Sequence, residues 1–372
     1  MKTLVYGLTF HRAHNFGSVL QAYALSQFIE QIGRNNNRNI EYRIIDYFPP
    51  NQKELYDVLH KPLSFKAIVK NILSLRYLPS LKKRYKSFED FVESFLNTTR
   101  PYNSSSEIYK EPPIVNYYVC GSDQIWNVRA ADFSWVYLLD FAPKDSVRIS
   151  YAPSLGPKPI DWSLYDAQKY STLISRFNNL SVREEGSEQN LISIAPNSNV
   201  DIMIDPTLLI SSDEWKKIET SSGAEEKKPY LLLYCLEPTR RQLALARAIG
   251  KKLHHKVIIL RYNNKNDWFN RFEKRYSAGP RDFLSYIHHA SLILTTSFHG
   301  TAFSLIYNKP FYVLDSDKDL RISDLLRRCG LTDRMINSDD VDISMPDFNI
   351  SRQYIEESKQ LAEVYLKKAL ML

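Results

Sequence analysis

Short apolar runs alternate with longer amphipathic ones along almost the whole chain, and few folds satisfy that pattern. Strand-length and helix-length segments in succession describe a mostly parallel sheet with helices on both faces. Residues 3–10 read as a strand, 19–32 as a helix and 40–48 as a second strand. Helices are expected next, over a basic segment and over 84–96. Residues 115–120, 147–152, 180–183 and 201–204 read as further strands. A polar stretch, Gly223-Ala224-Glu225-Glu226-Lys227-Lys228, reads as a linker. The alternation then restarts, with strands at 230–236, 256–262, 292–295 and 311–314. Helices are expected at 239–253, 281–289 and 301–307, with a long terminal one at 350–370.

A chain of 372 residues suits two domains of average size. The expected division is 1–222, with a basic helical insertion at 61–96, then 223–349, then a C-terminal helix at 350–372. The fold class is α/β: two Rossmann-like, doubly wound domains facing a cleft. With 24 Tyr, 18 Phe and 5 Trp, large cores can be filled. No apolar run approaches the roughly 18 residues a membrane span needs. The first ten residues read as a strand and not as a signal peptide. Cys120, Cys235 and Cys329 are far apart and odd in number. They argue for a reducing compartment, hence a cytoplasmic protein, and against a disulfide frame or a cysteine metal site.

The formal charge of +7 is local in origin. Residues 61–86 carry eight basic side chains (Lys61, Lys66, Lys70, Arg76, Lys82, Lys83, Arg84 and Lys86) and no acid. Apolar residues such as Phe65, Ile68 and Ile72 interleave with them. Such a helix either solvates one face of a core element or lies on an anionic membrane surface. No nucleic-acid motif accompanies the charge.

In open parallel sheets, ligands sit outside the carboxyl ends of the strands. Four strand ends here run at once into polar or Gly-containing turns: after Phe10, after Cys120, at Arg183 and after Leu294. Of 11 glycines in the chain, Gly17, Gly121 and Gly300 fall at three of these ends. Glycine there permits positive φ or a close backbone approach.

Within those turns, His299 lies between a buried strand and a helix N-terminus. An imidazole there can serve as general acid or base near neutral pH; the plain alternative is a turn histidine satisfying buried backbone. His60, His254, His255, His288 and His289 sit in loops or late in helices and are set aside. Arg183 can clamp a carboxylate or phosphate through its planar fork, or simply pair with the adjacent Glu184 and Glu185. Gly121-Ser122-Asp123-Gln124-Ile125-Trp126-Asn127 combines hydroxyl, carboxylate and amide groups with an indole. That mix suits a sugar, with Ser122, Asp123, Gln124 and Asn127 for hydroxyls and Trp126 for a ring face; the alternative is a capped turn with Trp126 in the core. His11, His14 and Asn15 belong to a polar turn that lacks the dinucleotide fingerprint. Walker A, G-x-S-x-G, H-E-x-x-H and paired C-x-x-C sequences are absent, which disfavours an ATPase, a serine hydrolase or a zinc enzyme. No metal ligand set is expected.

Five blocks, taken together, resemble the polysaccharide pyruvyl transferase family. They are Asn15-Phe16-Gly17-Ser18-Val19-Leu20-Gln21-Ala22-Tyr23-Ala24-Leu25, Gly121-Ser122-Asp123-Gln124-Ile125-Trp126-Asn127, Ser181-Val182-Arg183-Glu184, Asp205-Pro206-Thr207-Leu208-Leu209 and Ser297-Phe298-His299-Gly300-Thr301-Ala302-Phe303-Ser304. The resemblance implies a GT-B-like chain, with acceptor on the N-terminal side and donor on the C-terminal side. It implies transfer of the enolpyruvyl unit of phosphoenolpyruvate onto a sugar diol to form a pyruvate ketal, without metal or cofactor. His299 and Arg183 become the catalytic candidates. Arg183, Ser297, His299, Gly300 and Thr301 become the donor-binding set, and His14, Asn15, Ser122, Asp123, Gln124 and Asn127 the acceptor-binding set. Related members read Arg-x-His where this chain has Ser297 in the arginine's place. The donor's anionic groups then fall to Arg183, to backbone N–H groups near Gly300 and Thr301, or to Arg261 or Arg321. A lipid-linked or free oligosaccharide is the expected partner, with 61–86 holding the protein at the inner membrane face. The rival readings are a nucleotide-sugar glycosyltransferase of the same architecture and a non-catalytic sugar-binding protein.

Overall fold

A computed structural model describes residues 2–58, 75–260, 272–315, 319–336 and 344–372. The chain divides into two compact units. The first comprises Met1–Tyr56, Val92–Ile210 and Gln353–Leu372; the second comprises Asp57–Phe91 and Ser211–Arg352. The division thus falls at Ile210, ahead of the polar 223–228 linker. The last twenty residues group with the first unit.

In the first unit the order is β1 (Lys2–Leu8), α1 (Phe16–Asn35), β2 (Asn39–Tyr47) and α2 (Pro50–Tyr56). After α3 (Leu78–Phe95), most of which belongs to the second unit, come β3 (Thr98–Tyr102), α4 (Ser105–Lys110), β4 (Tyr117–Cys120) and β5 (Val147–Ser150). Then follow α5 (Ala167–Ile174), β6 (Ser181–Val182), α6 (Glu185–Ile192) and β7 (Asp201–Ile202). β1 to β5 form a parallel sheet in the order β3-β2-β1-β4-β5, and β6 pairs with β7. A parallel bridge from Ile149 to Asn179 leads from β5 toward β6.

The second unit runs α7 (Ser212–Ile218), β8 (Tyr230–Tyr234), α8 (Arg240–Lys252), β9 (Lys256–Leu260), β10 (Glu273–Arg275), α9 (Pro280–His289) and β11 (Leu292–Thr295). It continues through α10 (Phe298–Ile306), β12 (Phe311–Leu314), α11 (Leu320–Arg328) and β13 (Met335–Ile336) to the terminal helix α12 (Asn349–Ala369), which ends in the first unit. Its six strands lie in the order β10-β9-β8-β11-β12-β13, all parallel. Both sheets therefore carry the Rossmann order, in which the chain winds outward in one direction from the first strand and then in the other.

The central strands are apolar because helices cover both their faces. Every residue of β8, β11 and β12 is buried. Two edge strands are short and polar: β10 is Glu-Lys-Arg, and β3 carries Pro101, which an edge position tolerates. Helix starts follow capping chemistry. Asn15 caps α1, and Thr239 with Gln242 forms a capping box on α8.

Among the described residues, no helix is long and apolar enough to cross a membrane. The three cysteines are buried and free. Most of the basic segment lies outside the described residues. Its described end enters α3, where Leu81, Phe88 and Phe91 are buried while Lys82, Lys83 and Lys86 are exposed.

Candidate functional site

In sheets of this order a ligand crevice opens where the strand order reverses, outside the carboxyl ends of the two central strands. Those strands are β1 and β4 in the first unit, and β8 and β11 in the second. Each unit has one such point.

In the first unit, Gln21 ties the point together. It is fully buried, one turn into α1. Its Nε2 donates to Thr9 Oγ1 and to the Ser18 carbonyl, both at 2.8 Å, and its Oε1 accepts from the Ser122 N–H at 3.0 Å. Asn15 accepts from the Gly17 N–H at 3.0 Å. Gly121 has φ +129°, and a Cβ there would meet the Tyr151 carbonyl oxygen at 2.1 Å, so the turn after β4 requires glycine. Asp123 accepts from the Ser18 hydroxyl and from the Gln124 N–H at 2.8 Å. Asn127 donates to Gln124 Oε1 at 3.1 Å and accepts from the Arg129 backbone N–H at 3.1 Å.

Within this block Trp126 follows the core alternative and the Ser122 hydroxyl is bonded inward. Trp126 is fully buried and donates its indole N–H to the Tyr137 carbonyl at 2.9 Å, so it is core and offers no stacking face. Ser122 is also fully buried, and its hydroxyl donates to the Ala152 carbonyl at 2.5 Å. Asn15 and Gln124 are half-buried, while His14, Asp123 and Asn127 are buried. His14 packs its ring 5.8 Å from that of Tyr56.

His11 is fully buried. Both its ring nitrogens face oxygens: Nδ1 the Thr9 carbonyl at 3.2 Å, and Nε2 Asp46 Oδ1 at 3.0 Å. Arg12 grips the same carboxylate with two bonds of 2.9 and 2.7 Å. Burial disfavours the Asp46 charge, but Arg12 and then His11 outweigh it and hold the carboxyl well below the usual range. These groups brace the end of β1. Asp132, in the loop after β4, behaves oppositely. Burial pushes its carboxyl up, Gln52 donates to it at 3.2 Å, and the nearby Asp123 charge adds to the rise. Sequence reasoning missed Asp132, whose local context is an unremarkable polar loop.

Arg183 is enclosed by acids. Its side chain is 2% exposed; Nη1 donates to Asp205 Oδ2 at 2.7 Å and Nε to Glu184 Oε2 at 3.2 Å. Burial works against its charge, yet Asp205, then Glu184 and Asp123, raise its pKa further. The network extends outward. Asp205 Oδ1 accepts from the Thr207 N–H at 3.0 Å and hydroxyl at 2.8 Å, and Glu184 accepts from Ser154 at 2.6 Å and from Ser187. Two carboxylates thus engage the guanidinium directly. In this structure Arg183 follows the ion-pair alternative, with Asp205 a partner beyond the adjacent Glu184. The pairing with Glu184 is readable from adjacency; Asp205 is 22 residues away, beyond what local sequence shows.

In the second unit, helix α10 starts earlier than the sequence suggested. Ser297 is its N-cap, so His299 and Gly300 lie within the first turn. Ser297 Oγ accepts from the Gly300 N–H at 3.4 Å, and the Ser297 carbonyl accepts from the Thr301 N–H at 3.0 Å and from the Thr301 hydroxyl at 3.1 Å. The two N–H groups expected to hold the donor are therefore engaged within the turn. Gly300 serves packing: a Cβ would meet Thr295 Oγ1 at 2.3 Å and Tyr234 Cδ1 at 2.9 Å. Thr295 in turn donates to the Tyr234 carbonyl at 2.8 Å, joining the ends of β8 and β11. His299 is 6% exposed, with its ring edge-on to Phe298 at 5.3 Å. Of the alternative cations, Arg321 is bound by Asp319, with Nε at 2.8 Å from Oδ1, and Arg261 lies outside the described residues. His299 and the donor-turn residues belong to one unit, and Arg183 with the acceptor-turn residues to the other.

No curated protein matches the chain. Among solved structures, a Listeria monocytogenes protein assigned as a UDP-N-acetylglucosamine 2-epimerase aligns over 99% of this chain and 91% of its own, at 9% identity and TM-score 0.50. A Neisseria meningitidis UDP-GlcNAc 2-epimerase bound to UDP-GlcNAc aligns over 99% and 94%, at 15% identity and TM-score 0.47. The E. coli heptosyltransferase WaaC with ADP aligns over 96% and 100%, at 11% identity and TM-score 0.40. At such identity the first shows the fold alone, the pair of Rossmann-like units of a GT-B-like chain. The family model described as polysaccharide pyruvyl transferase matches residues 15–318, which takes in all five sequence blocks. The chain belongs to the polysaccharide pyruvyl transferase family.

Proposed function

We propose that this transferase moves the enolpyruvyl unit of phosphoenolpyruvate onto two hydroxyls of a hexose in a surface-polysaccharide repeat, giving a cyclic pyruvate ketal. Family membership supports the transferase class and the polysaccharide acceptor. The observation that carries the chemistry is His299, an imidazole in the first turn of α10 at the strand-order reversal of the second unit. In the reaction the methylene carbon gains a proton. C2 gains bonds to two sugar oxygens and loses its bond to the phosphate oxygen. The two hydroxyls give up their protons, one balancing the methyl group and one leaving with phosphate or solvent. His299 handles one of these protons, and the positive end of the α10 dipole favours the donor's charge.

The test is incubation with phosphoenolpyruvate and a panel of galactosides, glucosides and mannosides. The expected readout is phosphate release with a mass gain of one pyruvate ketal, and thermal protection by phosphoenolpyruvate. Protection by nucleotide sugars alone would favour a glycosyltransferase. Sugar affinity with no pyruvate incorporated would leave a binding protein.

The basic run at 61–86 supports a second part of the reading, docking at an anionic inner membrane face where a lipid-linked repeat would lie. The protein is expected to sediment with anionic vesicles and not with neutral ones. Added salt should release it, since the attraction is screened within about 10 Å at 0.1 M. Changing Lys82, Lys83, Arg84 and Lys86 to Gln should weaken sedimentation; equal sedimentation of this variant would remove the docking role.

A further inference from the structure

Away from the strand ends, the second unit brings together Glu219, His288 and His289. Glu219 is the C-cap that follows α7, and the two histidines are the last residues of α9. One ligand atom from each of the three lies within 4.8 Å of the other two. None of the three belongs to the candidate transfer site.

Each ring is held by a nearby oxygen. His289 Nδ1 lies 3.0 Å from the Ser285 carbonyl, an acceptor, so Nδ1 carries the proton and Nε2 keeps its lone pair. His288 Nδ1 faces Glu219 at 2.9 and 3.1 Å from its two oxygens. The His288 ring stacks on Tyr307, at 4.8 Å and 16°. The two elements are locked to each other as well. Arg281 Nε donates to the Ile218 carbonyl at 2.6 Å, and the Thr220 N–H to the Arg281 carbonyl at 3.3 Å. The negative end of the α9 dipole adds to the attraction for a cation.

We propose that Glu219, His288 and His289 bind a divalent transition-metal ion of the zinc type, with solvent completing its coordination. Imidazole nitrogens select such ions over calcium or magnesium, which prefer all-oxygen sites. Ligand atoms around a tetrahedral zinc lie about 3.4 Å apart at ordinary bond lengths. The ion would clip α7 to α9, so its first effect is on the stability of the second unit.

The experiment uses the full, tag-free chain stripped with chelator and titrated calorimetrically with Zn²⁺. The expected result is one ion per chain at micromolar affinity, no binding of Ca²⁺ or Mg²⁺, and a higher thermal midpoint with Zn²⁺. His289→Ala, His289→Gln and Glu219→Gln should each weaken binding about 10-fold or more and abolish the thermal shift. His255→Ala, outside the cluster, should change neither. His289→Gln retains a polar side chain at the helix end, so loss of binding there reads the imidazole and not the fold. Absence of Zn²⁺ binding by the wild-type chain, or equal affinity in the His289 and Glu219 variants, overturns the assignment.

Discussion

Replacing His299 with alanine is expected to lower turnover about 100-fold or more, the usual scale for one positioned acid or base. That factor corresponds to about 2.7 kcal/mol of transition-state stabilisation. The helix start should survive, because it rests on the Ser297 cap and on Gly300 against Thr295, neither of which involves the imidazole. His299→Gln is the sharper variant. It keeps a polar side chain of similar reach but cannot exchange a proton near neutrality, so it should fail equally. Thermal protection by phosphoenolpyruvate separates two roles. Retained protection with lost turnover identifies proton transfer; lost protection identifies donor positioning. Turnover within a few-fold of wild type in both variants would remove His299 from the chemistry. The role could not then pass to His11, whose two ring nitrogens already face Thr9 and Asp46; His14 would be the next residue to change.

What could be read from the sequence, and what could not, follows from how far apart the causes lie. The central strands were readable because burial on both faces makes them continuous apolar runs: Leu292–Thr295 and Phe311–Leu314 have the limits the sequence suggested. Two edge strands, β10 and β3, were missed, whereas β5, at the opposite edge of the first sheet, was read over 147–152. Glu273–Arg275 has no apolar residue, and Thr98–Tyr102 contains a proline; at an edge, charge and proline protect against further pairing and erase the periodic signal. The start of α10 was placed too late because His299-Gly300 looked like a turn, although Ser297 is an ordinary N-cap residue. In the site, the turns after β1, β4 and β11 were found because their polar residues are contiguous. Roles that depend on distant partners were not. Ser122 and Trp126 look ready for a ligand until Ala152 and Tyr137 are seen to accept from them. His288 and His289 look like helix-surface residues until Glu219, 69 positions away, faces the first of them.

Arg183 shows how the same residue gives opposite expectations at the two levels, and its variants decide between them. As a donor clamp, its loss would weaken phosphoenolpyruvate binding and leave the fold intact. As the buried partner of Asp205 and Glu184, its loss would leave two carboxylates enclosed without their cation, which costs about 3–5 kcal/mol. For a domain of 150–250 residues each kcal/mol lowers the thermal midpoint by about 2–4 °C, so Arg183→Met should lower it by roughly 6–20 °C. Arg183→Lys should recover only part, because one ammonium cannot reproduce the planar fork that reaches Asp205 through Nη1 and Glu184 through Nε. Asp205→Asn keeps an oxygen to accept from Thr207 while removing the charge, so the double variant Arg183→Met with Asp205→Asn isolates the ion pair. Its loss of stability should be smaller than the sum of the two single losses by about 1–3 kcal/mol, within the range seen for residues sharing one network. Strictly additive losses would mean the pair is not coupled. A stable Arg183→Met chain with weakened phosphoenolpyruvate binding would return the arginine to the donor. The internal role is expected because a guanidinium held between Asp205 and Glu184, with Asp123 beside it, has no net positive charge to offer an anion.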